Sequence, residues 1–221
     1  MPAVGSKVVS LKSLLSLMLW FGALNLASCS AFQPQVLPGG VFFQDDFSRP
    51  VSGWDRYRDE IYEADYVDAT YRIRVITPQT LVWSLPGVNL GDVRLTVEAR
   101  AIEGTSDNLF GIICRYMNAD NYIFFLVSSD GYAGIGRYLE GTRDLLTDES
   151  LLPFGALHEA DATNVLTATC QGDSLTLEVN GQLVAQAELA DTQAGDIGLL
   201  SGTYDVGGTV IEFDNFSATK P

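Results

Sequence analysis

The sequence contains little positive charge. Its 221 residues include 13 Lys and Arg but 28 Asp and Glu, and the formal net charge is −15 at pH 7. After Lys12 the only lysine is Lys220. A surface of this sign repels nucleic acid and anionic lipid headgroups, so we expect no nucleic-acid partner. Neutral glycans and cations remain compatible with it, as does a simple role of the charge in solubility.

Histidine and helical patterns are also scarce. The single histidine, His158, excludes a zinc site built on several histidines. A Ser-His-Asp site would have to use His158, which lies in the predicted loop FGALHEADAT, and we interpret it as a solvated loop residue. No convincing amphipathic helix is found along the chain. The lack of a helical pattern favours an all-β protein.

No apolar run is long enough to cross a bilayer. Leu14–Leu24 is apolar but short, because a spanning helix needs about 20 such residues. Lys7 and Lys12 precede it, and together they have the form of an export signal. We therefore predict a signal peptide at residues 1–28.

The end of this signal resembles the bacterial lipobox. The sequence is Leu26-Ala27-Ser28-Cys29, and the resemblance implies that Cys29 becomes a lipidated first residue. Two acyl chains give stable anchoring where one would be marginal. We expect a protein exported and anchored to the outer face of the bacterial cytoplasmic membrane, with the lipid as its only membrane contact. Residues 29–40 read as a lipidated cysteine and flexible tether. The alternative is an ordinary cleaved signal and plain secretion.

Residues 41–220 carry strand signals about every ten residues. Three predicted strands fill Asn108–Tyr138, and the middle one, YIFFLV, is apolar on both faces, which is typical of the centre of a covered sheet. Asn180-Gly181 predicts a tight hairpin. The first and last predicted strands contain similar sequences, QDDF and FDNF, and we expect these strands to pair. The pattern predicts about 12–13 strands.

Two cysteines remain in the predicted domain. Cys114 and Cys170 both lie in predicted strands of an exported protein, which favours a disulfide between them. The alternative is a pair of buried free thiols packed as small hydrophobic groups.

Several segments resemble the concanavalin A-like lectin and glucanase superfamily. They are FFQDDFSRPVSGWD, RYMNADNY, LTLEVNGQLV, GDIGLL and FDNF. The chain looks most similar to the laminin-G-like and 3-keto-disaccharide-hydrolase-like branches of that group. The resemblance implies an all-β, two-sheet antiparallel jelly-roll sandwich, with a concave face that often binds carbohydrate.

A sugar site needs aromatic faces and planar hydrogen-bonding groups. On one predicted strand two tyrosines flank two glycines on the same face, which would leave a flat trough. Arginines and loop aromatics could border it. The candidates are Trp54, Arg115, Tyr132, Gly134, Gly136, Arg137, Tyr138 and Tyr204. The alternative is close approach of the backbone at the glycines and core packing of the tyrosines.

Acidic residues suggest two further sites. Asp46 and Asp214 would approach each other if the terminal strands pair, and could hold a structural Ca²⁺ through oxygen ligands. The alternative is that they cap strand ends. The run Glu63, Asp65 and Asp68 resembles the acidic motif of glucanases on this fold, but we interpret it as a solvated turn. No catalytic residues are predicted.

Three functions remain open from the sequence. The first is a non-catalytic, membrane-anchored protein that binds carbohydrate or another surface polymer. The second is a glycoside-acting hydrolase of the 3-keto-disaccharide-hydrolase-like type. The third is a structural or accessory surface protein without a small ligand. A carboxylate pair in a pocket would favour the second, and a large exposed apolar patch the third.

Overall fold

The structure, a computed structural model, describes residues 37–158, 161–190 and 193–221. The predicted signal peptide, Cys29 and most of the tether lie outside the described residues. Within the described part, no helix is long and apolar enough to cross a membrane.

The described residues form two antiparallel sheets, here called sheet A and sheet B. The strands of sheet A are β1 (Val41–Asp45), β2 (Tyr57–Arg58), β3 (Tyr62–Val67), β4 (Thr70–Val75), β7 (Val93–Glu103), β13 (Asn164–Gln171), β14 (Ser174–Val179), β15 (Gln182–Glu188) and β17 (Thr209–Thr219). Those of sheet B are β5 (Leu81–Ser84), β6 (Asn89–Leu90), β8 (Asn108–Asn118), β9 (Asn121–Ser128), β10 (Tyr132–Leu139), β11 (Thr142–Leu145), β12 (Leu152–Pro153) and β16 (Gly195–Thr203).

The strand order is that of a two-layer sandwich. Sheet A runs β15-β14-β13-β7-β17-β4-β3-β2, with β1 beside β17, and sheet B runs β11-β10-β9-β8-β16-β5, with β12 beside β10 and β6 beside β16. The predicted all-β, two-sheet fold is confirmed. The described residues hold more strands than predicted partly because β2, β6 and β12 have only two residues each, too few for a periodic signal.

Strand β9 is apolar on both faces because each face packs in a buried cluster. Ile123, Phe125 and Val127 point into the core between the sheets. Tyr122 and Phe124 alternate with them and belong to a second buried cluster, which lies on the face of sheet B turned away from sheet A. We call this the outer face of sheet B. The prediction of a central, doubly covered strand is confirmed.

Two long-range links close the sandwich. A disulfide joins Cys114 on β8 to Cys170 on β13, so it connects sheet B to sheet A through the fully buried core. The first and last strands pair as expected, with Asp45 opposite Phe216. The predicted hairpin is also present, and both Asn180 and Gly181 have positive φ angles.

Candidate functional site

A row of four aromatic side chains crosses the outer face of sheet B. Trp83 on β5 lies 5.4 Å from Tyr122 on β9 and 6.1 Å from Tyr116 on β8, measured between ring centroids. Tyr122 stacks on Tyr138 of β10, with centroids 4.8 Å apart and planes inclined by 19°. Trp83, Tyr116 and Tyr138 are only half-buried, so the row presents aromatic surface to solvent. We call these four residues the aromatic row.

The row follows from strand register. Tyr122 is paired directly with Tyr138 across β9 and β10, so the two side chains emerge on the same face. Burial and the neighbouring tyrosines Tyr138 and Tyr116 raise the pKa of Tyr122 above its ordinary value. The Tyr122 phenol is therefore neutral at pH 7 and can donate or accept hydrogen bonds.

A cleft of about 250 Å³ opens beside the aromatic row. Its described lining combines two arginines, two stacked tyrosines, two amides and apolar side chains, and contains no carboxylate: Arg115, Met117, Asn121, Tyr122, Ile123, Arg137, Tyr138, Leu139, Leu189 and Gln193. The cleft lies where β8 turns into β9, beside the end of β10. Three of the predicted ligand residues, Arg115, Arg137 and Tyr138, thus come together.

Arg115 reaches this cleft through a β-bulge. Its φ angle is +53°, and the pairing of β8 with β9 slips between Cys114 and Asn118. The side chain turns inward after Cys114 and donates from Nη2 to the carbonyl oxygen of Gly172 in sheet A, at 2.8 Å. The bulge therefore takes Arg115 out of the simple alternation of β8, in which it would share a face with Ile113.

Arg137 is half-buried on the same cleft wall. Its Nη2 lies 3.5 Å from Asp144 Oδ2, within ion-pair distance. Its Nε is buried and has no hydrogen-bond partner among the described residues. A buried donor without a partner is costly, so this guanidinium can gain from an added acceptor.

A third arginine, Arg143, lies beside the aromatic row. It is exposed and sits on β11 directly opposite Tyr138. Its positive charge acts to lower the pKa of both Tyr122 and Tyr204, although burial raises both values overall. The sequence analysis missed Arg143, Trp83, Tyr116 and Tyr122, since only the register between distant strands places them together.

The predicted glycine trough is filled by the chain itself. A Cβ at Gly134 would lie 2.7 Å from Leu151 Cδ2, and a Cβ at Gly136 would lie 2.3 Å from Phe124 Cζ. Both glycines are buried. The expected open trough is therefore wrong, because these glycines serve close packing of Leu151 and Phe124.

The loop aromatics do not join the cleft. Trp54 is 3% exposed and packs in the core, with its ring centroid 5.0 Å from that of Phe216, so the expectation that it borders a cleft is wrong. Tyr132, at the other end of β10, pairs with Pro153 and is exposed. Tyr204 is partly exposed beyond the end of β16. Neither belongs to the described lining of the cleft.

The two aspartates proposed for calcium lie near each other but differ electrostatically. Hydrogen bonds from Ser48 lower the pKa of Asp46, whereas burial, followed by the charges of Glu98, Asp46 and Asp45, raises that of Asp214. Asp45 is buried, and its Oδ2 has no partner among the described residues. No group of three or more described His, Cys, Asp or Glu side chains is arranged to hold a metal. A calcium ion here would need backbone carbonyl ligands and stays a prediction.

The acidic run of β3 lies on sheet A, away from the cleft. Both carboxylate oxygens of Asp65 accept hydrogen bonds from Arg56, at 2.6 and 3.2 Å. Glu63 lies 3.4 Å from Arg58. These two carboxylates are thus engaged in ion pairs at the surface of sheet A.

Comparison with known proteins identifies the fold. No family profile matches the chain, and no curated protein matches its sequence. Among solved structures, it is similar to the carbohydrate-binding module CBM66 from Bacillus subtilis, with a TM-score of 0.62, 13% identity, and coverage of 76% of this chain and 96% of that one. It is also similar to the β-glucanase of Bacillus licheniformis, with a TM-score of 0.59, 13% identity, and coverage of 81% and 97%.

A third similar structure is matched over only part of its length. The xylan β-1,4-xylosidase of Bacillus halodurans C-125 matches with a TM-score of 0.60 and 12% identity, over 80% of this chain but only 39% of that enzyme. At these identities the likeness establishes the fold alone. The chain has an all-β, two-sheet antiparallel jelly-roll sandwich fold.

Proposed function

We propose that this chain is a non-catalytic carbohydrate-binding protein, held outside a bacterial cell by a lipid on Cys29. The aromatic row beside a polar cleft carries the proposal. Sugar rings have an apolar face that packs on aromatic side chains, while their hydroxyls need a few fixed polar groups. Trp83 and Tyr138 supply exposed ring surface on the outer face of sheet B, and Asn121 supplies a nearby donor.

The composition of the cleft favours binding over hydrolysis. Glycoside hydrolysis ordinarily uses two carboxyl groups, about 5–5.5 Å apart in retaining enzymes and about 6.5–9.5 Å apart in inverting ones. None of the described cleft residues is Asp or Glu. The similar solved structures include a carbohydrate-binding module as well as a glucanase and a xylosidase, so the fold serves both roles.

A thermal unfolding assay of the full chain tests binding. A ligand that binds only the folded state raises the melting temperature by mass action. We expect at least one glycan of a neutral and acidic panel to raise it, and chromatography of the same mixture to show the glycan uncleaved. No shift with any glycan would contradict the proposal, and cleavage of a stabilising glycan would favour the hydrolase instead.

Metabolic labelling tests the anchor. Cells expressing the full chain with a labelled fatty acid should yield a labelled, membrane-associated protein, and Cys29→Ala should abolish the label. Cys29→Ala leaves the described domain unchanged, so it should not alter the glycan response. Secretion of unlabelled wild-type protein into the medium would show that the signal is an ordinary cleaved one.

A further inference from the structure

We propose that the bound sugar carries a carboxylate, as in a terminal uronic acid, and that Arg143 recognises it. This inference rests on the proposed function and names its ligand class. It is drawn from the distribution of arginine charge over the two sheets and from the position of Arg143 on the aromatic row.

Most arginines of the domain are already neutralised by carboxylates. Removing Lys7 and Lys12 from the 13 basic residues leaves 11. Six of these form ion pairs on or beside sheet A: Arg56, Arg58, Arg72, Arg74, Arg94 and Arg100. Arg115 and Arg137, which line the cleft, also lie within ion-pair distance of carboxylates, 3.4 Å from Asp92 and 3.5 Å from Asp144. Arg143 lies opposite Tyr138 on the outer face of sheet B. Arg143 is therefore the cation that lies beside the exposed aromatic surface without a carboxylate partner among the described residues.

Arg143 is the cation best placed to meet a ligand. It is exposed, and no described carboxylate lies within ion-pair distance of it. It stands opposite Tyr138, so its side chain emerges on the same face as the stacked Tyr122 and Tyr138 rings. A sugar ring packed on Tyr138 would place a ring substituent within reach of a planar guanidinium, which binds carboxylates through two parallel hydrogen bonds.

Arg115 and Arg137 are less available to a ligand than Arg143. Arg115 is buried and committed to Gly172, so it shapes the cleft wall. Arg137 faces Asp144, and that carboxylate partly cancels its charge. Arg143 therefore supplies the uncompensated charge of this face within the described residues.

The size of the cleft and the net charge limit the ligand. At about 250 Å³ the cleft is smaller than the roughly 300–1,000 Å³ of sites that enclose a drug-sized ligand, so it suits one terminal ring. The net charge of −15 repels a long polyanion, but screening over about 8 Å at physiological salt leaves a local arginine effective. A single terminal carboxylate fits both constraints.

Calorimetry with matched ligands tests the proposal. The ligands are short oligosaccharides ending in galacturonic, glucuronic or mannuronic acid, each beside its carboxyl-reduced counterpart, which keeps the same ring. For at least one pair we expect the full chain to bind the acid about tenfold more tightly than the reduced sugar. Arg143→Gln should remove this preference by weakening the binding of the acid to about that of the reduced sugar.

Arg49→Gln is the matched control. Arg49 is exposed and lies beside Asp46 at a different cavity, so its loss changes the net charge equally without touching the aromatic row. It should leave the preference intact. Equal binding of acid and reduced sugar, or a preference that survives Arg143→Gln, would overturn the inference while the carbohydrate proposal stands. If the chain binds neutral glycans but none of these matched pairs, the carboxylate inference is likewise overturned and the carbohydrate proposal stands. If no glycan binds, both proposals fail.

Discussion

At the residue scale, Gly136 of β10 shows how close packing on the outer face of sheet B supports the aromatic row on the same face. Gly136 leaves room for the ring of Phe124, and Phe124 in turn supports Tyr138, with ring centroids 5.9 Å apart. Tyr138 then stacks on Tyr122. The exposed end of the aromatic row therefore depends on a missing side chain two residues away.

Gly136→Ala tests this dependence. The new methyl group would lie 2.3 Å from Phe124 Cζ and 2.6 Å from the carbonyl oxygen of Asp144, so something must move. We expect a loss of roughly 1–3 kcal/mol in the free energy of unfolding, as for other overpacked cores, measured by urea denaturation. Gly155→Ala is the control, since nothing lies within 4 Å of its added Cβ. Equal stability of both variants would contradict the packing described.

The sequence could indicate which residue types belong to the site but not which of them meet. Tyr138 and Arg137 follow from their place on a predicted strand near Arg115. Trp54 looks equally suitable, yet it lies in the core because the loop after β1 folds inward over Phe47 and Phe216. Arg115 is displaced by a bulge, and bulges leave no reliable pattern in a single sequence.

At the element scale, the disulfide links the strand that carries Arg115 to the opposite sheet. Cys114 precedes Arg115, and Cys170 lies two residues before Gly172, whose carbonyl Arg115 contacts. The covalent bond and the hydrogen bond therefore fix the same junction between β8 and the turn after β13.

Removing the disulfide should destabilise the chain. The bridged cysteines are 56 residues apart, and closing a loop of this length contributes roughly 4 kcal/mol in the chain-entropy model. We expect the Cys114→Ala, Cys170→Ala double variant to lose about this amount in urea denaturation. Non-reducing mass spectrometry of the wild type should show the linked peptides. A free thiol at both positions would contradict the structure.

Sheet A holds an ion triad, centred on the buried Glu212, that gives a pH-dependent contribution to stability. Glu212 on β17 accepts hydrogen bonds from Arg72 on β4 and Arg100 on β7. Burial acts to raise the pKa of Glu212, but the two arginines together lower it below the ordinary value of 4.5. The stabilisation is therefore complete above pH 4.5 and is lost as the pH falls through the lowered value.

Glu212→Gln tests the triad. At pH 7 we expect it to cost roughly 2 kcal/mol, because hydrogen bonds to charged groups are lost. The difference from wild type should shrink as the pH falls below 4.5. Glu60→Gln, at an exposed glutamate, should have little effect at either pH. A Glu212→Gln penalty that is independent of pH would show that size and shape, and not charge, explain it.

At the scale of the whole molecule, the two sheets have different surfaces. The outer side of sheet A is covered by paired charges, and the outer face of sheet B carries the aromatic row and an unpaired arginine. The sandwich itself was predictable from alternation, turn residues and the apolar YIFFLV strand. Which sheet faces a ligand was not predictable, because it depends on pairings between strands such as β5 and β16 that are far apart in sequence.

The central claim is that carbohydrate binds on the aromatic row, and a tryptophan fluorescence titration of the full chain tests it most directly. Trp83 lies in the row, whereas Trp54 is buried in the core. A glycan that stabilises the chain should change the tryptophan emission, and Trp83→Phe should abolish that change while calorimetry still detects binding, because a stacking ring remains. Two results would contradict the account. One is a ligand-induced emission change in Trp83→Phe as large as that of the wild type, and the other is binding to the wild type without any emission change.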